Sequence, residues 1–522
     1  MKNILIIGFL LVALSSCDSF LKEYSQDLAK VETITDLDEL LLGSAYLPNG
    51  YYYISNYTAY RSGGEDFNIF THFMSDELEK NTWVQGNVFM SGISLFGYYT
   101  WQRQVGIDEQ EQSVGAENQF WNSCYKYINV TNMIIDELKN INTSNSTEES
   151  DKTRVEGETH FLRALYYFTL VNLYAPPYSP ATADKTLAIP LKLTSYVEDK
   201  NYQRATLTTV YKQILEDLDK AEECLKQTEH KSLYRADLTA TYLLKSRVYL
   251  YMQDYPNTRI YAQNVLDCNN ALENLNSFTG ADNIFTAQSS EVIFSMGGHF
   301  LSMYMYGNDR EAEEYPYYIS EDLVNVFKEQ DLRKSLYIKE NEYGYTFKKI
   351  YWGRAHLGTA CSVSDNFLFR TSEAYLNLAE AAALDDNKDE AKARELITHL
   401  QSHRFRQAPT ITESGNALVS LIREERQREL CLEGHRWPDL RRYTVCEKFP
   451  WSKSFRHTWS EFRFNYDSYE YELLRSRTYE LEENDNAYTL AFPKEVIEFQ
   501  NTITTNERPE RRPVIDINKK QN

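Results

Sequence analysis

The chain has 522 residues, 42% of them hydrophobic, which is enough to bury a large core without disulfide or metal staples. Its 76 acidic residues against 55 basic ones leave a formal charge of -21. That balance opposes the phosphate-neutralising contacts of nucleic-acid binding and argues against anionic lipid surfaces as partners.

The first element lies in the stretch MKNILIIGFLLVALSSCDSFLKEYSQ. The apolar run Ile4 to Leu14 is shorter than the about 20 residues that cross a bilayer. With Lys2 before it and Ser15-Ser16 after it, it reads as the core of an export signal. Leu14-Ser15-Ser16-Cys17 resembles the lipobox of bacterial lipoproteins, in which the cysteine is acylated, for instance with palmitate, and becomes the new N-terminus. Residues 1–16 are therefore expected to be a leader and Cys17 the lipidation site. Beyond the leader no run of 18 apolar residues occurs, so no membrane-spanning helix is expected. Cys124, Cys224, Cys268, Cys361, Cys431 and Cys446 contain no CxxC pair, and neither a zinc site nor a disulfide framework can be read from them.

Further along, QFWNSCYKYINVTNMIIDEL places Tyr127, Val130, Ile134 and Leu138 on one helix face, and Gly157 to Tyr174 does the same with Phe161, Leu165, Phe168 and Val171. The polar stretch NTSNSTEESDK is expected to join them as a loop, and Pro176 to end the second helix. A further helix begins at Thr206, with Val210, Ile214, Leu218, Ala221 and Leu225 on its apolar face. After it, a helix, the break Asp254-Tyr255-Pro256 and a second helix have the layout of a tetratricopeptide hairpin. A similar hairpin carries the small residues Ala374, Ala379 and Ala383 before a polar turn at Asp385 to Lys388. The fold class that follows is mainly α: tetratricopeptide-like hairpins over about 120–270 and 368–445 form a frame.

Between the helices, residues 46–104 and 276–366 lack helical period and are rich in Tyr, Gly, Asn and Ser. They read as long irregular loops with short strands, and long loops in compact proteins tend to carry function. Sugar rings stack their C–H faces on flat aromatics while their hydroxyls bond Asn, Asp and Arg. Trp83, Tyr98 and Trp101 have such neighbours in Asp76, Asn81, Asn87 and Arg103. Tyr304 and Tyr306 have Asn308, Asp309 and Arg310, and Trp352 completes the set of candidate glycan-binding residues.

The densest charged motif is IREERQRELCLEGHRWPDLRRY, Ile422 to Tyr443. Glu433, His435 and Asp439 form a conceivable acid/base group. The reading preferred here is structural: a helix from Ile422 to Leu432 closed by Gly434, a new turn begun at Pro438, and arginines paired with glutamates one turn away. His399 and His403 have chelating spacing but lack the glutamate of HExxH and are expected on an exposed face. No GxSxG, phosphate-cradling glycine loop or dinucleotide fingerprint occurs, and neither catalytic residues nor a metal or cofactor is expected.

Taken together, the motifs resemble the SusD/RagB family of Bacteroidetes outer-membrane lipoproteins. The resemblance rests on Cys17-Asp18-Ser19-Phe20-Leu21, the core Phe161-Leu162-Arg163-Ala164, the segment Val210 to Leu225, Asp331-Leu332-Arg333, and above all RELCLEGHRWPDLRR. Pro438 stands where the family commonly has an aromatic, and the ending AFPKEVIEFQNTITTN is a loose match. The resemblance implies one SusD-like domain over 17–522. It implies a lipoprotein of the outer membrane, facing outward, that binds oligosaccharides without catalysis and passes them to a TonB-dependent SusC-like transporter. Capture of oligopeptides, a surface glycosidase with two carboxylates, and a protein-binding scaffold are the competing readings.

Overall fold

The computed structural model describes residues 31–48, 51–55, 58–62, 67–81, 95–114, 117, 119–279, 284–298, 301, 305, 316–347, 349, 363–499 and 502–518. Cys17, its leader and Cys361 lie outside the described residues.

The frame is built from helices α1 (Gln119–Leu138), α2 (Ser146–Tyr174), α3 (Leu207–Leu225), α4 (Leu238–Met252), α5 (Tyr255–Cys268), α6 (Thr371–Leu384), α7 (Glu390–Ser402), α8 (Gly415–Leu430) and α9 (Arg436–Thr444). Short polar caps set where several of them start. Asn145 accepts from the Thr147 and Glu148 N–H groups, Thr206 from Thr209, Asp237 from Ala240, and Asp254 from Asn257 with Pro256 in the first turn. The Asn145 cap corrects the expected loop. Ser146 to Lys152 belong to the helix, whose positive N-terminal end favours Glu148 and Glu149.

Most of these helices pack on a sequence neighbour. α2 lies on α1 and α3, α4 on α5, α5 on α6, and α6 on both α7 and α8. The α2/α3 crossing is close because Gly157 faces α3: a Cβ there would stand 2.8 Å from Leu225 Cγ and 2.9 Å from Cys224 Cβ. The expected single stripe on α2 understates its burial. Phe161, Leu162, Ala164, Leu165, Tyr166 and Tyr167 are all buried, so this helix is enclosed on most sides. Every residue of α6 is buried as well, where its alanines allow close approach of four neighbours, α4, α5, α7 and α8.

Short strands sit on this frame: β1 (Leu78–Lys80), β2 (Val292–Ser295), β3 (Tyr317–Ile319), β4 (Ile338–Asn341), β5 (Gly344–Phe347) and β6 (Leu368–Arg370). A four-stranded antiparallel sheet runs in the order β1-β3-β5-β4, and β2 pairs with β6. A long hairpin of β7 (Phe455–Asn465) and β8 (Glu470–Leu481) pairs at one side with β9 (Ile515–Asn518). Two small hairpins, Tyr51–Ser55 with Thr58–Ser62 and Leu187–Pro190 with Arg204–Thr206, complete the described strands. Cys224, Cys268, Cys431 and Cys446 are free thiols, buried except for Cys268, and Cys124 is buried. Among the described residues no helix is long and apolar enough to cross a membrane.

Candidate binding site

The four-stranded sheet gathers three of its chain connections at one end. Lys80 pairs with Tyr317, Ile319 pairs with Tyr345, and the Asn81 N–H donates to the Pro316 carbonyl at 2.8 Å. The chain therefore leaves β1 at Asn81, enters β3 from Pro316 and leaves β5 after Phe347, all on the same side. Trp83, Tyr304, Tyr306 and Trp352 lie outside the described residues, in the stretches that follow Asn81, precede Pro316 and follow Phe347.

The charged groups along and beside β1 are held in unusual states. Lys80 is 6% exposed, donates to the Ser460 carbonyl at 3.4 Å and lies over the Trp459 ring at 4.8 Å. Burial brings its pKa down to about 8, with Glu109 opposing. Glu79 is raised to about 7, first by burial and then by Glu321 and Asp322. Glu77, 1% exposed, is raised to about 8 by burial, although the Leu432 N–H donates to its Oε1 at 3.0 Å.

Tyr98 and Trp101 correct the expectation that they face a ligand. They are 2% and 0% exposed. Tyr98 stacks on Phe70 at 4.3 Å. Trp101 stacks on His457 at 4.4 Å, and its Nε1 donates to the Met74 carbonyl at 2.9 Å. Tyr99 also stacks on His457, at 4.1 Å. Phe70 covers Tyr98, the β7 hairpin lays His457 and Phe455 against Trp101, and a covered ring has no face for a sugar.

Beneath the sheet lies a buried ion-pair cluster. Arg333, Lys349, Arg370, Arg404 and Arg428 oppose Glu291, Asp331, Glu425, Glu429 and Glu433, five cations with five carboxylates. Arg370 reaches Glu291 at 2.5 Å, Glu429 at 2.9 Å and Glu433 at 2.8 Å, while Arg404 reaches Glu429 at 2.8 Å and Glu291 at 2.9 Å. Arg333 joins Asp331, which also caps its short helix, to Glu425 and Glu429 of α8. The cluster thus bolts the sheet and its connections to the helical frame. It also corrects the expected local pairing. Of the arginines in the charged motif, Arg428 does pair with Glu425 on its own helix, at 2.7 Å. Arg423 and Arg442 reach across to Glu380 of α6, Arg426 to Asp439 of α9, and Arg436 to Asp76.

The conceivable acid/base group dissolves in the same way. Glu433 is held by Arg370, and Asp439 by Arg426 and Arg442. His435 is kept neutral, its pKa pushed well down first by burial and then by Arg247 and Arg426. α8 ends at Leu430, two residues before the expected boundary, and Leu432 and Gly434 turn the chain with φ of 60° and 78° before α9 starts. His399 and His403 pack their rings together at 4.9 Å, and among the described residues no group of His, Cys, Asp and Glu has metal-binding geometry.

A second feature lies away from the sheet end. A cleft of about 860 Å³ is bounded by Gln102 to Val105, Tyr174, Ala491 to Lys494 and, from the C-terminal stretch, Thr505, Asn506 and Glu510 to Arg512, with Glu111, Glu117 and Glu498 also on its wall. The sequence reading missed it. Its signal was the run NERPERR, a cluster of arginines in an acidic chain.

Comparison with known proteins places this architecture. Residues 247–510 match the SusD family model, and residues 65–250 match a SusD-like model described as starch-binding and associating with the outer membrane. The chain belongs to the SusD family. A curated relative, SusD-like protein P25 of Formosa agariphila, is 26% identical over 223 residues, which are 40% of this chain and 38% of that protein. The chain therefore matches well under half the length of that relative. Among solved structures, a SusD superfamily protein from Bacteroides thetaiotaomicron has a TM-score of 0.66 at 20% identity, covering 91% of this chain and 100% of its own. A SusD-like carbohydrate-binding protein from Bacteroides vulgatus has a TM-score of 0.66 at 16% identity, covering 92% and 99%. A laminarin-binding SusD-like protein has a TM-score of 0.56 at 17% identity, covering 91% and 96%. These likenesses establish the fold, mainly α with tetratricopeptide-like hairpins, as the helical periodicity predicts.

Proposed function

We propose that this chain captures oligosaccharides at the cell surface, tethered to the outer membrane through acylated Cys17, and passes them unaltered to a TonB-dependent SusC-like transporter. The observation that carries this reading is the convergence of Asn81, Pro316 and Phe347 at one sheet end. The stretches anchored there contain Trp83, Tyr304, Tyr306 and Trp352, and these four aromatics are the proposed stacking residues. Family membership and a laminarin-binding neighbour support a glycan ligand. A non-catalytic role is supported by the fate of Glu433, His435 and Asp439, whose charges and lone pairs are engaged by arginines or suppressed by burial.

The test is calorimetric titration of the purified chain with a panel of oligosaccharides that includes laminarin fragments, followed by chromatography of the recovered ligand. Saturable binding of an intact glycan is expected. Alanine at Trp83, Tyr304, Tyr306 or Trp352 should weaken it by about tenfold or more, as loss of a central aromatic contact does. Undiminished affinity in all four variants refutes the site, and shortened products refute the non-catalytic role.

A further inference from the structure

We propose that the tip of the hairpin formed by β7 and β8 is a further carbohydrate contact, at which Tyr466 and Tyr469 stack on the outer part of a glycan chain seated at the sheet end. The inference rests on the reading of the chain as a glycan binder and adds to it the residues that select for chain length.

Tyr466 and Tyr469 are the two most exposed tyrosines among the described residues, at 80% and 79%. Tyr98 and Trp101 are covered, whereas these rings keep open surface for a ligand. An aromatic ring left in water forgoes the burial that ordinarily stabilises it, and here two stand three residues apart in one turn. Tyr469 also has a φ of 58°, the left-handed region that a glycine enters without strain. A bulky side chain retained at such a position points to a use for the ring.

The turn is held in shape from within. Asn465 Oδ1 accepts the Asp467 N–H at 2.9 Å and the Ser468 N–H at 3.4 Å, while its Nδ2 donates to Glu472 Oε1 at 2.6 Å. Across the strands, Arg463 Nη2 donates to Glu472 Oε2 at 2.9 Å. Between the two rings, the Asp467 carboxylate and the Ser468 hydroxyl are exposed and have no partner among the described residues. They supply an acceptor and a donor for sugar hydroxyls. No aliphatic side chain stands in the turn, which favours a hydroxylated ligand over an apolar protein partner.

β7 carries this tip past the sheet end where Asn81, Pro316 and Phe347 converge. Lys80, the last residue of β1, donates to the Ser460 carbonyl and lies over the rings of Trp459 and Phe462, at 4.8 and 5.9 Å. From Phe462 the hairpin runs on through the pairs Arg463 with Glu472 and Asn465 with Glu470 before it turns. Four strand residues at about 3.3 Å each put Tyr466 about 13 Å along the strand from that crossing. A short glycan at the sheet end does not span this distance, and a longer one does.

The experiment titrates the purified full chain with laminarin, starch and xylan oligosaccharides, each as the shortest oligomer that the parent binds and as a decasaccharide. Tyr466→Ala and Tyr469→Ala should each weaken decasaccharide binding about threefold, and the double variant about tenfold. Affinity for the short oligomer and the melting temperature are expected to be unchanged in all three, because both rings stand in water. Tyr466→Phe and Tyr469→Phe keep the ring faces and should bind as the parent does. Undiminished decasaccharide affinity in the double variant overturns the proposal, as does equal loss for both lengths, or phenylalanine variants that lose as much as the alanine ones. Tighter binding of a casein tryptic digest than of every decasaccharide, lost in the double variant, also overturns it. If the double variant matches the parent while Trp83→Ala loses binding, this inference fails and the glycan reading stands; if no oligosaccharide binds the parent, both fail.

Discussion

The molecule contains two arginine-rich regions that burial alone does not distinguish. In the cluster beneath the sheet, Arg333, Arg370 and Arg404 are fully enclosed, and each meets two or three carboxylates within 3.1 Å. In the C-terminal stretch, Arg508 is also enclosed and meets none. The difference lies in the counter-ions. A buried charge with matched partners ties distant segments into one register, whereas a buried charge without them raises the energy of the folded chain until something supplies an acceptor. Most charges of the family-like stretch Arg428 to Arg442 fall in the first kind of environment, with Arg441 meeting backbone carbonyls in place of carboxylates, so the stretch reports how the frame is bolted together and says little about the ligand.

This contrast can be broken most directly at Arg370. Arg370→Met removes one partner from each of Glu291, Glu429 and Glu433, leaves the buried cluster one cation short, and should cost about 3–5 kcal/mol in denaturant unfolding. A loss below about 1 kcal/mol would show that the cluster does not hold the fold. A comparable loss, about 3–5 kcal/mol, is expected for Trp101→Ala, which opens a cavity and strands the Met74 carbonyl. In the folded fraction, glycan affinity should remain, in contrast to Trp83→Ala.

Glu77 is the acidic counterpart of Arg508: a buried group short of compensation. Its pKa is raised from 4.5 to about 8. The folded state therefore favours its protonated form, a contribution that is full below pH 4.5 and is lost as pH rises through about 8. Glu77→Gln keeps an acceptor for the Leu432 N–H and removes the titration. The variant should match the parent near about pH 5 and exceed it by roughly 3 kcal/mol near about pH 8 in paired unfolding curves. Parallel curves across that window refute the assignment. The smallest effect belongs to Arg475 and Asp516, which pair at 2.6 Å on the outer sheet with more than a third of each side chain exposed. Arg475→Ala should cost about 0–1 kcal/mol and less in high salt, since water and ions already solvate both groups.

The legibility of the chain follows the range of the forces involved. Helices α3, α4, α5, α6 and α7 could be read from apolar spacing and from breaks such as Asp254-Tyr255-Pro256 and the turn at Asp385 to Lys388, because both signals lie within a few residues. The beginning of α2 was misread because polar Ser146 to Lys152 looks like a loop until Asn145 is recognised as its cap. Tyr98 and Trp101 were misread for a different reason. The rings that cover them lie elsewhere in the chain: Phe70 stacks on Tyr98, and Phe455 and His457, more than 350 positions away, cover Trp101.

By itself, then, the sequence determined the helical frame, the length and place of its hairpins, and the family, since periodicity, capping and the Arg428 to Arg442 pattern are local properties of the chain. Only the tertiary structure decided which charges are paired and which rings are covered. Glu291, Arg370 and Arg404 meet across as many as 113 residues, β1, β3 and β5 come together from three distant segments, and Arg508 is left without an acceptor. Burial and counter-ion supply depend on what the rest of the chain brings to a point in space, and no short window of sequence contains that information.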